Sequence, residues 1–234
     1  MGKEKNNDGD SIYEKLTQLE AMGRMPFDLR EANILPRRWQ WQEFPSGVHY
    51  RIPTDPENMG RYNDPSGRTG ICYTADFAIG AIAESLGRVY QQDPKDFVFD
   101  LKDLKTAQMY TLKTTRPTKI IDMTRLQGVL HLTSDQTMGE DTSITQAIVD
   151  WAANTPGLDY DGISYRSRHY GVGWCTAFWE REGASSPLTD VSHCSVNSYV
   201  DSDPANFPPN WTEEDISGFD IVTETLQFSV SQGN

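Results

Sequence analysis

At 234 residues the chain has the size of one large domain, or of a domain with a modest extension. Hydrophobic residues at 37% and aromatic residues at 11% can build a core, and a mean hydropathy of −0.61 demands a strongly polar surface, which excludes a disordered chain. A net charge of −13 argues against direct nucleic-acid binding and against an anionic membrane surface, because both draw on Lys and Arg.

The first ten residues are charged and contain glycine, so disorder is expected there. They lack the apolar run of a secretory leader, and no stretch approaches the roughly 20 apolar residues of a membrane-spanning helix. Ser11 followed by Glu14 is a capping-box pattern that predicts a helix over 11–22, ended by Gly23 and Pro26. Residues 24–47 contain Pro26, Pro36 and Pro45 and read mainly as loop, with a basic-aromatic cluster of Arg37, Arg38, Trp39 and Trp41. That cluster fits a lid on the domain better than a ligand contact.

Val48, Tyr50 and Ile52 alternate with His49 and Arg51, which predicts a strand over 48–52. A turn-rich loop precedes a second short strand with Ile71, Tyr73 and Ala75 on one face. Asp76 is the expected N-cap of a helix to about Tyr90, with Ala78, Ile82, Leu86 and Val89 as its apolar line. Strands are expected over 107–113 and 119–122, and Ile144, Ala147, Ile148, Trp151 and Ala152 mark a clean helical stripe. Further strands are expected over 162–167, 174–179 and 221–230, with Pro204, Pro208 and Pro209 marking the loop before the last. Strands and helices mix without strict alternation, so the fold class is α+β, mixed β-sheets flanked by helices.

Familiar chemistry is missing. There is no phosphate-binding glycine fingerprint, no nucleophile elbow and no histidine or cysteine spacing that suits a metal, so no metal is expected. Cys72, Cys175 and Cys194 form no C-x-x-C pair, so reduced thiols and a cytoplasmic location are expected. What remains is a set of polar residues at element ends. Arg51 and Arg61 could grip a diphosphate through paired N–H donors, and Tyr73 could stack or offer its hydroxyl. Glu84 could offset the charge of an oxocarbenium-like transition state, and Ser167 could donate to a phosphate or ribose oxygen. Each also has a structural explanation: Arg88 stands four residues after Glu84, ready for a solvent ion pair, and Arg61 and Asn63 could be turn residues. Against the first, Gly80, Ala81 and Gly87 flank Glu84 and leave room for an approaching group.

The ordered series Tyr50-Arg51, Arg61-Tyr62-Asn63, Gly70 to Ala75 and Ala81 to Glu84 resembles the RES domain family. Later matches are Ile120 to Met123, Thr145 to Ile148 and Asp161 to Ser167, so the likeness covers roughly residues 48–180. It departs at Tyr62, where the family usually has Trp, and at Arg166, where a proline usually precedes the serine. The resemblance implies an ADP-ribosyltransferase-like fold and an enzyme that splits the nicotinamide–ribose bond of NAD+, with water or inorganic phosphate as acceptor and no cofactor. Arg51, Tyr73 and Glu84 would then be catalytic, and Arg61, Asn63 and Ser167 would bind substrate. Many such proteins are toxins held by a separate antitoxin, which sets the expected partners as NAD+ and an antitoxin or immunity protein, with a homo-oligomer left open. The expected organisation is an N-terminal tail, helix and loop (1–47), a catalytic core (48–180) and an extension packing on it (181–234). The competing readings are transfer of ADP-ribose to a macromolecule and a catalytically inactive binding domain.

Overall fold

The computed structural model describes residues 8–92, 94, 97–181, 183–207, 211 and 214–231. The disorder expected for the first ten residues therefore falls mostly outside the described residues, as do Pro208 and Pro209. In chain order the elements are α1 (Asp8–Ala21), β1 (Phe27–Arg30), β2 (Arg37–Gln40), β3 (Ile71–Ala75) and α2 (Ala78–Gln92). They continue with β4 (Phe99–Asp100), α3 (Leu101–Thr106), β5 (Gln108–Thr114), β6 (Thr118–Asp122), α4 (Met123–Val129), α5 (Ser134–Met138) and α6 (Ser143–Asn154). Then come β7 (Gly162–Arg166), β8 (Trp174–Trp179) and β9 (Leu188–Ser195), followed by the short pieces β10 (Val200–Asp201), β11 (Ile216–Ser217) and β12 (Val230–Ser231).

One eight-stranded sheet runs β1-β6-β7-β8-β3-β2-β5-β9. Only β6 and β7 are parallel, the connection between them being long enough to carry α4, α5 and α6; the other neighbours are antiparallel. The result is the α+β class, a large mixed sheet flanked by helices. On α2 the apolar line reaches the core as its spacing requires, with Ala78, Ile82 and Leu86 at 0% exposure. On α6, Ile148, Trp151 and Ala152 are buried, and Trp151 donates its indole N–H to Thr17 of α1 at 3.1 Å. The Asp161 carboxylate, buried just before β7, accepts both guanidinium nitrogens of Arg116 (2.9 and 2.7 Å) and pairs with Arg181 at 3.1 Å. Those contacts fix where β7 begins. Gly162 follows because a side chain there would stand 2.6 Å from the carbonyl oxygen of Ala177 on β8.

Five expectations need correction. Helix α1 starts at Asp8, so Ser11 lies inside it and not at its cap. Residues 24–47 are not mainly loop: β1 pairs with β6 and β2 lies between β3 and β5 in the main sheet. Residues 48–52 do not form a strand; Arg51 alone makes a bridge, exchanging two 3.1 Å backbone bonds with Ile71. Gly70 is what lets the chain lie so close, since a Cβ there would be 2.6 Å from the Tyr50 carbonyl oxygen. The stretch 221–230 begins as a π-helical turn (Ile221–Thr225) that buries Ile221 and Val222, and only Val230–Ser231 is extended, beside β4. Asp76 also stands two residues before α2 begins, ion-paired with Arg30 at 3.9 Å. Both flanks of the region 48–180 contribute strands to the main sheet: β1 and β2 before it, β9 after it.

Candidate active site

Between β2, β3, α2 and the loops after Arg51 and β7 lies a cavity of about 560 Å³. Six arginines line it (Arg37, Arg38, Arg51, Arg61, Arg88 and Arg168) against two carboxylates, Glu84 and Glu140. In a molecule of net charge −13 this is a local reversal of sign, and it suits an anionic ligand. Among the described residues no group of three or more His, Cys, Asp and Glu is placed to hold a metal.

Glu84 stands on α2 and is held from the loop after β7. Its Oε1 accepts the Ser167 hydroxyl at 2.6 Å and the backbone N–H of Arg168 at 2.6 Å. Oε2 accepts nothing from the described residues and is left for the cavity. The ion pair with Arg88 does not form among the described residues. Ser167 is fully buried, and its oxygen also accepts the backbone N–H groups of His169 (3.2 Å) and Tyr170 (2.9 Å). Its hydroxyl is therefore committed to this junction. The glycine at position 87 has a definite reason: a Cβ there would lie 2.2 Å from the His169 ring, which rests on α2 at that point. Burial and the neighbouring Arg168 and Arg61 pull the His169 pKa below its ordinary 6.5, against the pull of Glu84, so the imidazole is neutral at pH 7. Burial, with Arg61 opposite, likewise lowers the pKa of Arg168 from its ordinary value.

The opposite wall is the turn 60–63. Asn63 Oδ1 accepts the Gly60 N–H at 2.6 Å and the Tyr73 hydroxyl at 3.2 Å, and that hydroxyl accepts the Tyr62 N–H at 3.1 Å. From α6, Thr145 donates to the Arg61 carbonyl at 2.7 Å and Gln146 to the Gly60 carbonyl at 3.2 Å. Arg61 is thereby presented over two stacked rings: Tyr62 and Tyr165 lie 4.2 Å apart, and the guanidinium is 5.3 Å from each ring centre. Tyr62 fills the position where a Trp was expected, and does so as a packing ring. Burial pushes the Tyr73 pKa above its ordinary value, so its hydroxyl stays protonated as a structural donor.

Of the residues singled out from sequence, Arg51, Arg61, Tyr73 and Glu84 line one cavity. Asn63 and Ser167 stand behind it, each fixing one of those residues. Sequence reasoning passed over Arg88, Arg168 and His169 as wall residues. Arg88 was taken only as a partner for Glu84. The signal that could have found Arg88 is its spacing: one turn from Glu84 it shares that residue's face of α2.

This fold and site define a mixed-sheet protein with a single pinned carboxylate in an arginine-lined cavity. The RES domain profile matches residues 33–197, more than half of the chain, and the chain belongs to that family. The match extends beyond 48–180 at both ends and takes in β2 and β9. A chain from the crystal structure of the M. tuberculosis MbcT–MbcA toxin–antitoxin complex is similar in fold, with a TM-score of 0.57 at 15% identity over 94% of this chain and 98% of that one. No curated protein matches the sequence. Among the described residues, no helix is long and apolar enough to cross a membrane.

Proposed function

We propose that the protein degrades NAD+ by breaking the bond between nicotinamide and ribose, with water or inorganic phosphate taking the ribosyl group. The observation that carries this reading is Glu84, a carboxylate with one oxygen tied down and the other left to a cavity lined by six arginines. The nicotinamide nitrogen of NAD+ already bears a positive charge. As the C–N bond breaks, its electron pair neutralises that nitrogen, and the leaving group needs no proton. The positive charge passes to the ribosyl carbon and ring oxygen. One carboxylate placed beneath them is then the principal requirement, in contrast to the paired carboxylates of an ordinary glycosidase. Attack by water releases a proton and free ADP-ribose; attack by phosphate forms ADP-ribose 1″-phosphate.

In this reading Arg51 and Arg61 grip the diphosphate, with Arg88 beside them on α2. Tyr73 and Asn63 hold the turn that carries Arg61, and Ser167 acts through Glu84. The M. tuberculosis relative in fold forms a toxin–antitoxin complex, which supports a toxin role here and a separate protein as inhibitor. Incubation of the purified protein with NAD+, with and without phosphate, followed by chromatography, tests the reaction. Nicotinamide release is expected. Free ADP-ribose identifies a hydrolase and the 1″-phosphate a phosphorylase, whereas no release from folded, inhibitor-free protein overturns the proposal.

A further inference from the structure

The wall that α2 gives to the cavity changes character along its length. From Glu84 to Gln91, both lining residues, the helix rises about 10 Å, and Arg88 lies between them. The far end is aromatic. The Tyr90 ring meets Phe97 edge-on at 5.7 Å, Phe97 lies 6.4 Å from Phe99, and Phe99 supports Trp41 at 5.8 Å. Trp41 also stands edge-on to Trp39 at 5.5 Å.

The two tryptophans differ in a telling way. Both line the cavity, but Trp39 is 7% exposed and Trp41 is 45% exposed. A buried indole backed by Phe99 holds an outer indole that still faces solvent and the cavity. Core packing does not call for such an arrangement, since the outer ring forgoes much of its burial. A binding platform does call for it: the ring is fixed by its neighbours and keeps surface for another flat group. Arg38, three residues earlier, also lines the cavity, its guanidinium held by the His49 carbonyl at 2.9 Å.

Read from α2, the cavity thus has a carboxylate at one end, arginines between and an aromatic surface at the other. We infer that Trp41 is the stacking platform for the purine base of a dinucleotide, and the residue by which this cavity selects a dinucleotide over a ribose phosphate lacking the base. The inference rests on the function proposed for the same cavity, and it adds a substrate determinant outside the reacting end.

Calorimetric titration with ADP-ribose and with ribose 5-phosphate separates this from the reaction itself. Trp41→Ala should weaken ADP-ribose binding about 10- to 100-fold and ribose 5-phosphate binding far less. Trp41→Phe, which keeps a flat ring, should stay within about threefold of the native affinity for ADP-ribose and shows that the position tolerates substitution. Unchanged ADP-ribose affinity in Trp41→Ala, equal losses for both probes, or no ADP-ribose binding by the native protein overturns the platform. Nicotinamide release is scored in parallel. A protein that binds ADP-ribose through Trp41 yet releases no nicotinamide refutes the chemistry and leaves the platform standing.

Discussion

The carboxylate and the outer arginines of the cavity are held in opposite ways. Glu84 takes two 2.6 Å hydrogen bonds on one oxygen, one from the buried Ser167 hydroxyl and one from the backbone N–H of Arg168. Arg51 and Arg88 are exposed, and their side chains make no hydrogen bond or ion pair among the described residues. Under the proposed function, the group that would meet a developing charge is fixed in advance, whereas the groups that would gather the anion are left on long, solvated side chains. Fixed dipoles cost nothing to reorient in the transition state, and mobile charges act mainly on encounter and affinity.

Substitutions can break that contrast at either side. Glu84→Gln keeps an oxygen able to accept from Ser167 and Arg168, so the fold should hold while kcat for nicotinamide release falls about 100- to 1000-fold. Near-native turnover would remove Glu84 from the chemistry. Ser167→Ala should come next, with kcat down roughly tenfold, KM little changed and stability lower by about 1–3 kcal/mol as two partly buried N–H groups lose their acceptor. A rise in KM with kcat intact would instead put Ser167 on the ligand. Arg51→Ala and Arg88→Ala should raise KM several-fold, leave kcat alone and weaken the dependence of KM on salt. A fall in kcat alone would show that these arginines are as fixed as Glu84.

The smallest effect at neutral pH concerns Asp64, next to the Arg61 turn. Burial raises its pKa, but bonds from Ser66, Asn154, Arg68 and Thr69 outweigh this and hold it below the ordinary 3.8. A depressed folded pKa means that the carboxylate stabilises the protein above pH 3.8, and that this contribution is lost as pH falls through the folded value. Thermal melts from pH 7 to pH 3 should therefore show a steeper acid loss in the native protein than in Asp64→Asn. Parallel curves would show that Asp64 does not carry it.

Legibility followed periodicity. Helices α2 and α6 and strands β3, β7 and β8 were visible because their apolar spacing matches burial on one face or on both. Strands β1 and β2 were hidden because each has four residues, lies between prolines and carries charged side chains. The alternation at 48–52 misled because it continues into Ile52, which is exposed, and only Arg51 finds a partner. Within the site, Arg61, Tyr73 and Glu84 were found through an ordered series of short motifs. Ser167 was singled out as a possible ligand contact; its buried place behind the cavity wall, bonded to Glu84, is not something one-dimensional order shows. Trp41 was set aside as part of a lid, since an aromatic in a proline-rich stretch carries no mark of which ring will be left open.

The sheet order has a consequence for how the protein is made. Glu84 and the serine that fixes it are 83 positions apart, and β3, beneath the cavity, takes β8 as its neighbour. At synthesis rates of about 5–20 residues per second, Glu84 is added to the chain roughly 4–17 s before Ser167. Contacts this distant in sequence close late in folding. A nascent chain that stops short of Ser167 has the carboxylate and five of the six cavity arginines but not the junction that fixes Glu84. Fragments and stalled translation products should thus be inert, and the cell making the protein meets its chemistry only once most of the chain has been synthesised.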